Sequence, residues 1–161
     1  MMSVADIDKI TKVLEAMSQY ELLLSDFYKH CADAWTEDQS LWNNLALAEI
    51  RHADNIQKMK DIIVKKQEIF AIGRPFNLIA LNTATAGLKD SIRRLTLGEL
   101  SRDKMLIMAR DIEQSVLESN YAEIVKAADI EYNNLMKSIL SQTQEHKKII
   151  LEKIAELKVK V

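Results

Sequence analysis

The pair with the clearest chemical meaning is Glu49 and His52, a carboxylate and an imidazole three positions apart in a long segment of helical apolar period. Side chains at that spacing leave a helix from nearly the same face and can hold one ligand between them. Counted from Glu49 at ~100° per residue, Trp42, Leu45, Ala53, Ile56 and Ile63 fall within roughly 60° of it, so the pair faces a core. A carboxylate buried there needs a cation, a proton or a dense set of hydrogen bonds, because desolvating an unpaired anion is costly. Three more such residues sit on apolar stripes. Glu21 lies between Met17 and Leu24, with Leu14 and Tyr28 two turns away. Glu113 is central to a stripe of Leu106, Ala109, Val116, Leu117 and Ile124, and His146 shares one with Tyr132, Leu135, Met136, Ile139, Ile150, Ile154 and Leu157. Glu118, Glu145 and His30 face other directions. Three inward acids and two inward imidazoles, without a thiolate among them, suit hard or borderline divalent cations.

Long helices are needed to bring such residues together. Three glycines and one proline in 161 residues leave little turn chemistry, which points to an all-α chain rather than many strands. A first helix is expected from Ser3 or Asp6 to about Ala34, buried along Ile10, Val13, Leu14, Met17, Leu24, Phe27, Tyr28 and Cys31. Thr36 followed by Gln39 reads as a capping box, so a second helix should start near Glu37 and pass Ile63, antiparallel to the first. Beyond Gly73 and Pro75, the residues Leu78, Leu81, Thr85, Leu88, Ile92 and Leu95 recur at three and four. They predict an additional helix inside a long crossover, interrupted near Gly98, with a seam that serves the bundle or a second copy of the chain. Ser101 should open a third long helix reaching Ile124, and Asp129 should cap the last. The charged end, with Lys158 and Lys160, is expected to fray or to pack on a partner.

Composition narrows the function classes. The length fits a single helical domain over residues 1–161 with a sizeable core. A net charge of -2, from 22 basic and 24 acidic residues, gives no footprint for nucleic acid or for an anionic membrane. The single cysteine, Cys31, excludes an internal disulfide and any Cys-rich metal module, so a reducing, cytoplasmic setting is expected. The first twenty residues lack the basic start and apolar run of a signal peptide, and no run is long and apolar enough to span a bilayer. Met17, Met59, Met105, Met108 and Met136 read as core filling.

The two halves of the chain repeat one design, a helix with an inward Glu followed by a helix with an inward His. In order and spacing, Glu21 with Tyr28 two turns on, Glu49 with His52, then Glu113 and His146, the chain resembles the ferritin-like superfamily, and within it the rubrerythrin-like proteins. The resemblance implies an antiparallel four-helix bundle with a long crossover and a dinuclear iron centre used in peroxide reduction, ferrous oxidation or related redox chemistry. It further implies that Glu21, Glu49 and His52 serve one metal and Glu113 and His146 the other, with Glu49 bridging. Iron, as a pair or a single ion, is the cofactor implied, with manganese or zinc as alternatives.

Two departures from that pattern stand out. Thr143 and Gln142 occupy the positions three and four before His146, so the last helix offers no inward carboxylate there. Tyr28, Gln142 and Thr143 are then candidates for shaping the centre from behind its ligands. The chain also lacks the Cys-pair module that delivers electrons in full rubrerythrins, so an active centre would need an external electron donor. The competing expectation is a metal-free structural or interaction protein, a relic bundle acting as a homodimer, in which Gln142, Thr143 and the histidines satisfy the acids.

Overall fold

A computed structural model describes residues 2–76, 78–115, 120 and 122–158. The expectations resting on Val116, Leu117, Glu118 and Lys160 fall outside them. The described chain is all-α apart from one small two-stranded ribbon. Helix α1 spans Val4–Ala34 and α2 Gln39–Lys65. Strand β1, Phe70–Ile72, precedes α3, Leu78–Thr96, and α4, Arg102–Glu113. Strand β2, Val125–Ala127, leads into α5, Ile130–Glu156. None of the described helices is long and apolar enough to cross a membrane.

Helix α1 starts at Ser3, whose hydroxyl accepts from the Asp6 amide at 3.1 Å while the Asp6 carboxylate accepts from the Ser3 amide at 3.0 Å. Satisfying two orphan amides this way fixes the first turn. The Thr36 and Gln39 capping box does not form. Thr36–Asp38 is a single 3-10 turn, α2 begins at Gln39, and no side chain caps it. The carboxylate that stands at that N-terminus, Asp38, is turned instead to Arg102, which grips it through Nε at 2.6 Å and Nη2 at 2.7 Å. Lys153 Nζ lies 3.8 Å from the same group. A buried anion with a bidentate guanidinium available takes the stronger contact and leaves the helix end to a 3-10 turn.

Helices α1 and α2 run antiparallel and pack together along their length, and α2 packs in turn on α5, which covers α4. The stripes read from the sequence are buried as expected in α1, α2 and α5, with Leu135 and Leu157 only half-buried. Helix α3 lies on α1, burying Leu81, Leu88 and Leu95. The chain's own first helix therefore covers these three leucines of the seam, while Leu78, Thr85 and Ile92 stay half-buried. Gly98, at φ +73°, ends this segment, and Ser101 caps α4 by accepting from the Lys104 amide.

The third helix departs most from expectation, because α4 stops at Glu113 and does not reach Ile124. Ile124 is buried beside β2, its carbonyl accepting from the Gly73 amide at 2.9 Å. Strands β1 and β2 are antiparallel, with Phe70 opposite Ala127 and Ile72 opposite Val125. Gly73 extends this ribbon at a point where a Cβ would stand 2.1 Å from the Glu123 carbonyl, so no side chain fits. Phe70 meets Tyr132 edge-on at 5.2 Å, joining the ribbon to the first turn of α5. That turn is capped by Asp129, which accepts from the Tyr132 amide and from Lys66 Nζ.

Candidate metal centre

Glu21 sits near the middle of α1 and Glu49 and His52 near the middle of α2, where neither end can fray. Two buried hydroxyls fix the register of these helices around the acids. Ser18 donates to the Ala53 carbonyl at 3.2 Å and Ser25 to the Ala46 carbonyl at 2.8 Å. On α1 the serines lie three before and four after Glu21, and on α2 their acceptors lie three before and four after Glu49. Both carboxylates are thereby bracketed one turn away on each side. Sequence reading missed the two serines, although their polarity on an apolar stripe was a usable signal.

The five candidate ligands are all buried: Glu21 and His52 are 0% exposed, Glu49 1%, Glu113 5% and His146 7%. They meet around one carboxylate. Glu49 turns Oε2 to His52 Nδ1 at 3.0 Å and Oε1 to His146 Nδ1 at 3.2 Å. His146 Nδ1 also lies 3.7 Å from Glu113 Oε2. The two imidazoles stack at 5.7 Å between centroids, 20° from parallel. Two triads result, Glu21 with Glu49 and His52, and Glu49 with Glu113 and His146, each offering donor atoms within 4.8 Å of one another. Glu49 belongs to both.

The residues behind the ligands are also held. His52 Nε2 donates to Gln142 Oε1 at 2.7 Å, since an amide oxygen can only accept. That bond fixes the orientation of the ring and turns Nδ1 to the Glu49 carboxylate. The Tyr28 hydroxyl donates to Glu113 Oε1 at 2.6 Å, and its ring stacks on Trp42 at 5.8 Å. Thr143 is buried, its hydroxyl donating to the Ile139 carbonyl one turn back on the same helix. His30 is half-exposed and Glu145 exposed, so neither joins the cluster. Cys31 is a buried thiol whose ionisation burial opposes.

Electrostatics follow from burial and from these contacts. Burial alone would raise the Glu49 carboxyl, but hydrogen bonds from His146 and His52, the His52 charge and a hydrogen bond with Glu21 bring it down to about 2. Burial pushes Glu113 up to about 7, the nearby Glu49 charge adding to it against the pull of His146 and Tyr28. Burial works against a charged His146, yet the Glu113 and Glu49 carboxylates raise it to about 10. Burial, then the Glu113 and Glu49 charges, keep the Tyr28 hydroxyl protonated well above the usual range. Without a metal, the His146 proton faces the Glu49 and Glu113 carboxylates, and the Glu113 carboxyl holds its own proton up to about neutral pH.

The donor set fits a divalent transition metal in kind and nearly in size. Two donors on one ion at ~2.1 Å each stand no more than ~4.2 Å apart, so each triad needs to contract by under ~1 Å. Oxygen and imidazole nitrogen without thiolate suit iron, manganese or zinc. Compared with protein-family models, with curated proteins and with solved structures, the chain matches none.

Proposed function

We propose that this chain is a metal-binding protein of the ferritin-like, rubrerythrin-like kind, a four-helix bundle with an incomplete dinuclear carboxylate centre in an oxidoreductase or iron-handling role. The observation that carries the proposal is the pair of buried triads sharing Glu49, each oxygen of which faces one imidazole. Iron is the favoured metal, as a pair or a single ion, with manganese or zinc as alternatives. Glu21, Glu49 and His52 would hold one ion and Glu49, Glu113 and His146 the other. Ferrous iron bound there would supply electrons for reduction of peroxide or dioxygen, and an external donor would restore them.

The protein's own groups have definable work in this reading. Gln142 holds the His52 proton on Nε2 and so leaves Nδ1 for the metal. Tyr28 anchors one oxygen of Glu113 and leaves the other toward His146. Burial of all five ligands excludes water, which strengthens every charge interaction among them. Thr143 stands where a further inward carboxylate would complete the second position, so three carboxylates must balance any pair of ions.

Elemental analysis of full-length protein produced in iron-supplemented medium tests the proposal. At least one bound equivalent, with a melting temperature that falls when the metal is removed, is expected. Less than about a tenth of an equivalent, with Glu49→Ala as thermostable as the parent, would reject it.

A second reading has its own support. His146 lies between Glu49 and Glu113, and Gln142 satisfies His52, so the acids have protein partners. In that case the bundle is a metal-free structural or interaction protein acting as a homodimer. Iron-dependent absorbance or peroxide consumption that vanishes in Glu21→Gln favours the first reading. A metal-blind dimer in light scattering favours the second.

A further inference from the structure

The two triads share a carboxylate but are built on scaffolds of different stiffness. The Glu21, Glu49 and His52 triad stands at mid-helix on α1 and α2 and is bracketed by the Ser18 and Ser25 hydroxyls. Gln142 adds a fixed ring orientation for His52. The Glu49, Glu113 and His146 triad takes its second carboxylate from Glu113, the last residue of α4. The bidentate Arg102 to Asp38 tie of α4 lies at its other end, roughly 16 Å away along the axis. One oxygen of Glu113 is already committed to Tyr28, and Thr143 supplies no carboxylate.

We infer that the centre loads in a fixed order, the α1–α2 triad first and tightly, the α4–α5 triad second and weakly, and that Ser18 and Ser25 are positioning residues for the first step. This rests on the metal-binding reading and adds to it. A ligand set held near its productive geometry loses little freedom when the ion arrives, whereas a carboxylate on a helix end, with one oxygen already tied to Tyr28, must be reoriented to serve the ion. The shared Glu49, with Oε2 toward His52 and Oε1 toward His146, would couple the two steps.

Anaerobic titration of full-length protein with cobalt(II), followed by calorimetry and by visible absorption, tests the order. Two steps separated by at least ~10-fold in affinity are expected. Glu21→Gln should remove the tight step, and Glu113→Gln should remove only the weak one. Ser18→Ala and Ser25→Ala, made singly, should each weaken the tight step by roughly 10-fold while helicity is kept, and Ser18→Thr should restore it. If one serine variant fails to fold, the other and the two ligand variants still decide. Two equal steps, loss of the tight step in Glu113→Gln, or a tight step indifferent to both serine changes overturns the order. Absence of any cobalt binding instead removes the reading beneath it.

Discussion

The α1–α2 pair and the α4–α5 pair bring the same chemistry to the centre, an acid on the earlier helix and an imidazole on the later one, 31 positions on in the first pair and 33 in the second. Their mechanics differ. The first pair consists of helices of 31 and 27 residues whose acids sit near their middles. In the second, α4 has 12 residues and ends on its acid. The first pair surrounds its carboxylates with side-chain bonds one turn away on both sides. Repetition of a pattern in sequence thus carries over donor atoms but not stiffness. Stiffness depends on where helices end and on which polar groups lock their register.

The largest effect should come from the residue the two halves share. Glu49→Ala removes the oxygens that face both imidazoles, so cobalt affinity should fall by more than ~100-fold at both steps. A calorimetric titration in which one step survives unchanged would show that the halves are independent and that Glu49 serves only one of them.

Removing the tie on the weaker half should have the next largest effect. Asp38→Ala strips the buried carboxylate from Arg102 and from Lys153, both of which keep partial access to solvent. Breaking a buried pair costs ~3–5 kcal/mol, and the solvated cations reduce this to about 2 kcal/mol. The melting temperature should drop by roughly 4–8 °C. The difference between the halves predicts more: the weak loading step should suffer with the loosening of α4 while the tight one holds. Equal losses at both steps would mean that the bundle responds as one body.

The same contrast explains how much of the molecule could be read in advance. Glu21, Glu49, His52, Glu113 and His146 were legible because each interrupts an apolar stripe, and a buried charge on a helix face is a strong periodic signal. The caps at Ser3, Ser101 and Asp129 were legible for the same local reason. The end of α4 at Glu113 was not. Val116, Leu117 and Ile124 continue the helical period in sequence, and the pairing of β1 with β2, which takes Ile124 beside a ribbon, depends on partners about fifty residues apart. The Thr36 capping box failed because α2 starts only at Gln39, behind an Asp38 that is drawn to Arg102, which is remote in sequence. Local patterns found the inward acids and imidazoles, and long-range pairings decided how firmly each is held.

The smallest effect belongs to a surface contact of the stiffer half. Glu15, on α1, accepts from Lys60 and Gln57 of α2 at 2.8 Å each. The Lys60 ammonium, then the Gln57 and Gln19 amides, lower its carboxyl from the usual range to about 2. Because the folded value is the lower one, its contribution to stability is complete above pH 4.5 and disappears as the pH falls toward 2. With Glu15 half in solvent and its partner screened, that contribution is about half a kcal/mol or less. Urea unfolding of Glu15→Gln should therefore show a slightly lower midpoint at pH 7 and a gap to the parent that narrows below pH 4.5. Cobalt loading should not change, because the serine contacts around Glu21, and not the outer α1–α2 contacts, set the ligand geometry. A tight step weakened as much by Glu15→Gln as by Ser18→Ala would assign the stiffness to the whole helix pair.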